Sequence, residues 1–183
     1  CSSLVLKKEF KRDNFDIISI KIKYKTINLD NDIVKVKINK PIYKKRNLEI
    51  NSYCGNYLDS GAKHLVINYS GDWNNKKILK NKMKKIRYHE LFNPDGINVN
   101  FYKKINLDTI QVKTYEKGIE SIMASCASGS FACAYDYSKN NYDIKSIKVI
   151  NDGGNSEILF DNSYKSNFFL SKGIIEFKGN IEV

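Results

Sequence analysis

Histidine is scarce in this chain, and its cysteines are not arranged to hold a metal. There are two histidines, His64 and His89, and four cysteines, none of which forms a Cys-x-x-Cys pair. These spacings exclude a zinc finger, and we expect no metal site. The sequence alone does not exclude disulfide bonds between these cysteines. Still, a lysine-rich chain of 183 residues is too large for a small disulfide-stapled secreted scaffold.

Long apolar runs, internal repeats and a basic tail are missing as well. No run approaches the roughly 20 apolar residues that a membrane helix needs, so we expect no membrane partner. No segment recurs at a fixed period, which excludes solenoids and propellers. The formal net charge is +11, but lysines such as Lys35 and Lys37 alternate with apolar residues. That pattern is typical of a solvated strand face, and we expect no nucleic-acid partner.

The residues that are present describe an ordinary globular chain. Hydrophobic residues make up 42% and charged residues 28% of the sequence, which is enough apolar mass for one domain or two small ones. The first residue, Cys1, has two readings: the mature end of a lipoprotein, or an internal position of a longer protein.

Alternating apolar and polar residues predict mostly strands. Near the start we expect a strand at 17–24 and another at 33–38, paired as a hairpin. A basic linker at 43–47 and a loop at 51–64 follow. Further strands are predicted at 64–67, 97–102, 109–115, 147–150, 157–160, 168–170 and 174–177; helices at 4–11, 76–87 and from Cys126 to about Lys139; and turns at 93–96 and 151–155. The sum is an α+β fold of antiparallel strands with one central buried helix per unit.

The most informative segment runs from Ser125 to Ala134 and reads Ser-Cys-Ala-Ser-Gly-Ser-Phe-Ala-Cys-Ala. It places the thiol of Cys126 before a run of small residues and the apolar start of a helix. Small residues let backbone N–H groups approach a ligand closely. A helix N-terminus lowers the pKa of a thiol and binds a carboxylate. The segment therefore indicates thiolate chemistry beside a carboxylate site, although a buried structural cysteine fits the same residues.

Five motifs, in order, resemble those of a known family. They are Gly61-Ala62-Lys63-His64-Leu65-Val66, Asp95-Gly96-Ile97-Asn98-Val99-Asn100-Phe101, Val112-Lys113-Thr114-Tyr115-Glu116-Lys117-Gly118, the segment Ala124 to Ala134, and Asp152-Gly153-Gly154. Over residues 48–183 they resemble diaminopimelate epimerase and the related amino acid racemases that use no cofactor. The family fold has two similar lobes. Each lobe is an antiparallel β-roll around a central helix, and the active site lies between the lobes.

The resemblance implies a division of the chain. Residues 1–45 would be the C-terminal part of the first lobe, and residues 46–183 would be the second lobe. A gap-free alignment puts Cys1 on the last cysteine of the family's Cys-Gly-Asn-Gly-x-Arg-Cys motif, so that the first catalytic cysteine precedes this chain. In the alternative alignment Cys1 is itself the catalytic cysteine. The rest of the first lobe would come from the same gene product or from a partner chain.

The resemblance also implies a chemistry. The expected reaction inverts the Cα of an amino acid with two cysteines, one acting as base and the other as acid, without pyridoxal phosphate. Cys126 would be one of these thiols. The N–H groups of Ala127, Ser128 and Gly129 would hold the α-carboxylate of the substrate.

Three other motif residues would contact the end of the substrate that is remote from the α-carbon, namely Asn98, Glu116 and Lys117. His64 would line the cleft or have only a structural role. Lys117 stands where the family has arginine, which weakens the grip on a carboxylate and leaves the substrate open between diaminopimelate, a substrate of lysine biosynthesis, and another amino acid. We expect a cytoplasmic isomerase, with a homodimer as a possible assembly. The alternative is a non-catalytic amino acid binding or interaction protein on the same fold.

Overall fold

The structure is a computed structural model, and it describes residues 2–19, 22–141 and 144–175. The strands in these ranges are β1 Asn14–Ser19, β2 Ile22–Asn28, β3 Ile33–Ile38, β4 Ile42–Ile50, β5 Tyr53–Asp59, β6 Lys63–Asn68, β7 Asn98–Lys104, β8 Thr109–Glu116, β9 Ser121–Met123, β10 Ser146–Asn151, β11 Gly154–Phe160 and β12 Asn167–Lys172. The α-helices are α1 Ser2–Phe10, α2 Lys76–Arg87 and α3 Ala127–Asn140. Short 3-10 helices cover Asp30–Asp32 and Glu90–Phe92.

The strands form one mixed sheet in the order β1-β2-β3-β12-β11-β10-β8-β7-β6-β5-β4, with β9 paired to β8. Two neighbouring pairs are parallel, β6 with β7 and β8 with β10. A parallel pair needs a long crossover connection, and these two crossovers contain α2 and α3. The α+β class is therefore confirmed, and most neighbouring strands pair antiparallel as expected, with these two parallel pairs in addition.

The sheet wraps around α3, which is the central helix. Every residue from Gly129 to Ser138 is buried, as expected for a helix that is enclosed on all sides. Alternate strand residues point to opposite faces of a sheet. In β6, Val66 belongs to the apolar cluster around α3, while Leu65 and Ile67 belong to the cluster beneath α2. The predicted central buried helix is confirmed.

Helix α2 covers the other face of the sheet. The side chain of Asn75 caps it by accepting a hydrogen bond from the Ile78 N–H at 3.1 Å, and its buried apolar residues Leu79, Met83 and Ile86 recur every three or four positions. The predicted bounds 76–87 are confirmed. No helix in the described ranges is long and apolar enough to cross a membrane.

The N-terminal strands differ from the prediction. The expected single strand at 17–24 is two strands, β1 and β2, which pair antiparallel with Ser19 opposite Ile22. In this arrangement Ile18 is 72% exposed. The hairpin of β2 with β3 is confirmed by the register of Thr26 with Val36.

Two segments predicted to lack regular structure are strands. The expected basic linker at 43–47 lies within β4, an edge strand with two register shifts, and the expected loop at 51–64 contains β5. Charged residues are typical of edge strands, where they discourage pairing with other chains. In the strand predicted at 174–177, residues 174 and 175 are not in a strand and the remainder lies outside the described residues, as does Cys1. The later predicted strands and both turns are confirmed within a few residues.

Strand β12 joins the N-terminal strands to the rest of the sheet. It lies between β3 and β11 and pairs antiparallel with both. The segment before residue 45 thereby forms one continuous sheet with the strands around α3. This continuity brings β2 and β3 close to the N-terminus of α3.

Candidate active site

Cys126 is the N-cap residue of α3. Its backbone is extended, with φ −140° and ψ 110°, and its carbonyl accepts the Ser130 N–H at 2.8 Å. In an α-helix this arrangement leaves the first N–H groups without an intrahelical acceptor. The N–H groups of Ala127, Ser128 and Gly129 therefore point out of the helix beside the thiol.

The thiol opens onto a cavity of about 540 Å³. One wall holds Glu116 from the end of β8 and the start of α3. The opposite wall is largely apolar and comes from β2, β3 and β12. The lining residues are Tyr24, Val36, Ile38, Ser60, Glu116, Ser125, Cys126, Ala127, Ser128, Phe131 and Phe169. This cavity is a site in which a small molecule can lie between a polar and an apolar surface.

The pKa of the Cys126 thiol is raised, so the expectation of a lowered value is wrong. Burial is the main cause, because the side chain is only 9% exposed and a thiolate loses hydration there. The Ser128 hydroxyl and the N–H groups of Gly129 and Ser128 oppose this increase, while the negative charge of Glu116 adds to it. Cys126 consequently rests as a neutral thiol.

His64 lies behind the cavity rather than in its wall. It is fully buried, with Nε2 lying 3.0 Å from Ser128 Oγ and Nδ1 lying 3.0 Å from Asn100 Nδ2. Burial lowers its pKa to about 4, so the imidazole is neutral near pH 7. Ser128 in turn has its Oγ 3.6 Å from Cys126 Sγ. His64 thus contacts the thiol through Ser128.

Gly129 packs against two polar side chains at the start of α3. A Cβ atom there would lie 2.8 Å from Thr114 Oγ1 and still closer to Asn100 Oδ1. Only glycine fits this close approach. The thiol, the glycine and the Asn100–Thr114 pair are therefore held in one fixed arrangement.

Asn98 and Lys117 shape the strand end near the cavity and are not among its lining residues. Asn98 donates from Nδ2 to the Lys63 carbonyl at 2.9 Å and accepts the Lys117 N–H at 2.8 Å. Both ends of its amide are thus bonded to backbone groups. Of the predicted site residues, the structure brings together Cys126, Ala127, Ser128 and Glu116 on the cavity, with His64 and Gly129 behind it.

Several residues in or next to the cavity were not predicted from the sequence. Asn100 follows Asn98 by two positions in β7, so the period of a strand places both on one face, and this signal was available. Ser60 follows the end of β5 and donates to the Ser128 carbonyl at 3.0 Å, and Phe169 lies in β12. Both are distant in sequence from Cys126 and gave no local signal. Tyr24, Val36 and Ile38, from the N-terminal strands β2 and β3, also line the cavity.

Potential metal-ligating side chains do not cluster in the part of the chain that the structure describes. In the described parts of the chain, no group of three His, Cys, Asp or Glu side chains is arranged to hold a metal ion. Cys54, Cys126 and Cys133 are free thiols. Cys133 is fully buried in α3, and burial raises its pKa well above the usual value.

The sequence is similar to curated diaminopimelate epimerases. It is 32% identical over 155 residues to the enzyme of Aquifex aeolicus strain VF5, a match covering 81% of this chain and 54% of that protein. It is 33% identical over 159 residues to the enzyme of Flavobacterium psychrophilum, covering 83% of this chain and 57% of that protein. No protein-family model matches the chain. The chain thus spans about half the length of the curated relatives it matches.

The fold is similar to that of a solved protein of the PhzF family. A phenazine biosynthesis protein of the PhzF family from Enterococcus faecalis superposes with a TM-score of 0.67 at 7% identity, covering 100% of this chain and 71% of that one. At this identity the match shows the fold alone. The resemblance to the diaminopimelate epimerase family is therefore confirmed in sequence, and the epimerase-like fold is confirmed in structure.

Proposed function

We propose that this chain supplies one half of an amino acid epimerase of the diaminopimelate epimerase type, with Cys126 as one of two catalytic thiols. The observation that carries the proposal is the position of Cys126 at the N-terminus of the buried α3, where its thiol and the first helical residues, Ala127 and Ser128, border the 540 Å³ cavity. Proton transfer at the Cα of a bound amino acid needs an acid or base, which the thiol supplies, and donors to the α-carboxylate, which the N–H groups supply.

The proposed reaction moves one proton from the Cα on one face and returns another on the opposite face. A thiolate takes the Cα proton, and a neutral thiol on the other side gives its proton to the carbanion. Cys126 rests protonated, so in the resting state it serves as the acid. The reverse reaction starts with Cys126 as thiolate and the second cysteine as thiol.

The cavity suits the binding of an amino acid. The N–H groups of Ala127, Ser128 and Gly129 would hold the α-carboxylate and stabilise the charge that develops as the proton leaves. Glu116 lines the cavity and would contact the cationic end of a substrate, with Lys117 and Asn98 shaping that end. No step in this scheme uses pyridoxal phosphate.

The division of the chain is part of the same proposal. Residues 1–45 would close the first lobe and residues 46–183 would form the second. The remaining part of the first lobe, supplied by the same gene product or by a partner chain, would carry the second thiol. Support comes from the span of the relatives, of which this chain matches 54% and 57%.

Solvent deuterium incorporation tests the proposal directly. The full-length gene product is incubated in D₂O with a panel of amino acids that includes the diaminopimelate stereoisomers, and Cα deuteration and inversion are measured by NMR and chiral chromatography. We expect both signals in the wild type and in the matched control Cys54→Ser, whose thiol is exposed. Both should be lost in Cys126→Ser.

Other outcomes separate the alternatives. Deuteration without inversion would mean that one thiol acts alone and that the second half of the site is missing from the assay. Binding of an amino acid without deuteration would favour the non-catalytic binding protein. Unchanged deuteration in Cys126→Ser would refute the proposed role of this thiol.

A further inference from the structure

We propose that Asn100, His64 and Ser128 are positioning residues that form a one-directional hydrogen-bond relay, in which each group donates toward the cavity and the Ser128 hydroxyl presents its hydrogen to the Cys126 sulphur. The catalytic meaning of the relay rests on the proposed function. The relay itself is a property of the folded chain, because the direction of each hydrogen bond is set by the groups on either side of it.

The first bond follows from the orientation of the Asn100 amide. Its Nδ2 lies 3.1 Å from the Leu65 carbonyl, and its Oδ1 accepts the Thr114 hydroxyl at 2.9 Å. A carbonyl only accepts hydrogen bonds, so the group facing Leu65 is the NH₂ group. The same NH₂ group faces His64 Nδ1 at 3.0 Å. His64 Nδ1 is therefore an acceptor and carries no hydrogen.

The second bond follows from the tautomer of His64. A neutral imidazole carries one hydrogen, and with Nδ1 accepting, that hydrogen is on Nε2. Nε2 lies 3.0 Å from Ser128 Oγ and donates to it. Asn100 and His64 are both fully buried, so no water competes for these groups and the direction of donation is fixed.

The third bond reaches the thiol. The Ser128 hydroxyl accepts from His64 and has one hydrogen of its own to donate, and Cys126 Sγ lies 3.6 Å away. A donated hydrogen bond stabilises a thiolate more than a thiol. The relay therefore favours the ionised form of Cys126 against the opposing effect of burial.

Among the described residues, the charged groups that act on Cys126 and His64 are the acidic ones. The ionisable groups that face the relay are Glu116 of β8 and Cys133 of α3 beside the thiol, Asp59 of β5 beside His64, and Tyr24 of β2 across the cavity. Each of these becomes negative when it ionises. A neutral donor relay stabilises the thiolate without fixing it as an ion pair, so that Cys126 can change between acid and base.

Alkylation of Cys126 tests the relay without any turnover. The rate of reaction with iodoacetamide is followed against pH by mass spectrometry of the Cys126 peptide, with the exposed Cys54 of the same molecule as reference. We expect Ser128→Ala to raise the pKa of Cys126 by about one unit, which slows alkylation about tenfold at a fixed pH below that pKa. Ser128→Thr keeps the hydroxyl and should restore the wild-type profile.

The tautomer of His64 gives a second readout. Nitrogen-15 NMR should show the Nε2–H form in the wild type, with His89 as reference. In Asn100→Leu no side-chain group donates to Nδ1, so the hydrogen of the neutral imidazole is no longer held on Nε2. We therefore expect a mixture of the two tautomers in this variant and slower alkylation of Cys126 than in the wild type.

Two results would overturn the relay: superimposable alkylation profiles for the wild type and Ser128→Ala, or an Nδ1–H tautomer of His64 in the wild type. Neither measurement uses an amino acid substrate. A failure of the epimerase assay therefore leaves the relay standing, and a failure of the relay leaves Cys126 as a candidate thiol.

Discussion

The buried His64 should make the stability of this protein depend on pH. The side chain is fully buried, and burial is the main cause that lowers its pKa from the ordinary 6.5 to about 4. In the unfolded chain the imidazole is hydrated and recovers its ordinary pKa. Between these two values the unfolded state binds a proton that the folded state does not.

The sign and size of the effect follow from this difference. A depressed pKa contributes stability that is present above 6.5 and is lost as the pH falls through the folded pKa. Each pH unit between the two pKa values is worth about 1.4 kcal/mol, so a difference between 6.5 and about 4 corresponds to about 3 kcal/mol. Over a practical range from about pH 7.5 to about pH 4.5, we expect a loss of about 2.5 kcal/mol.

Urea unfolding of the wild type and His64→Gln over that range isolates the effect. Glutamine keeps a donor near the position of Nε2 but does not titrate. The difference in free energy of unfolding between the two proteins should therefore shrink by about 2.5 kcal/mol as the pH falls, whatever the other groups contribute.

His89→Gln is the matched control, since His89 lies outside the core next to a short 3-10 helix. The same urea measurements on this variant show whether the effect is particular to the buried histidine. A constant difference between the wild type and His64→Gln would refute the argument, because it would mean that His64 is hydrated enough in the folded state to keep its ordinary pKa.

Two further predictions concern α3. Gly129→Ala should destabilise the protein by about 2 kcal/mol in urea unfolding, because the new methyl group overpacks against Asn100 and Thr114. Ala127→Gly, at the exposed first position of the helix, should destabilise it by only about 0.5 kcal/mol. Equal effects of the two substitutions would contradict the packing argument. Burial raises the pKa of Asp136, although hydrogen bonds from Tyr43 and Asn56 lower it. The wild type should therefore lose stability relative to Asp136→Asn as the pH rises through that pKa. The loss should be about 1.4 kcal/mol for each pH unit that separates the folded from the unfolded pKa. Parallel stability curves of the two proteins would show that the pKa of Asp136 is not raised.

The elements that local patterns determine were predictable from the sequence. Helix α2 was predicted with its observed bounds because apolar spacing and a capping Asn75 both act within one turn. The reversal between β1 and β2 was missed because no glycine, proline or asparagine stands between Ser19 and Ile22, and the apolar alternation continues across it. Strand β4 was missed because its charged residues are those of an exposed edge, which resembles a linker in sequence.

The site was predictable only in its local part. The position of Cys126 before a helix follows from consecutive residues, and the structure confirms it. The direction of its pKa shift does not follow from them, since burial of the thiol depends on a wall that includes Tyr24 and Phe169 from distant strands. The contact of Asn100 with His64 likewise requires β6 and β7 to be parallel neighbours, a long-range pairing that periodicity does not reveal.

The position of β12 has a consequence for synthesis of the protein. This strand fills the gap between β3 and β11 and places Phe169 in the cavity wall. During translation β3 leaves the ribosome before β12. The edge of β3 that pairs with β12 therefore stays unpaired until the residues up to Lys172 have been synthesised. Pairing over such a distance in sequence is slow, because a long loop must close before any stabilising contact forms. The wall of the Cys126 cavity that contains Phe169 therefore forms only when β12 pairs with β3 and β11.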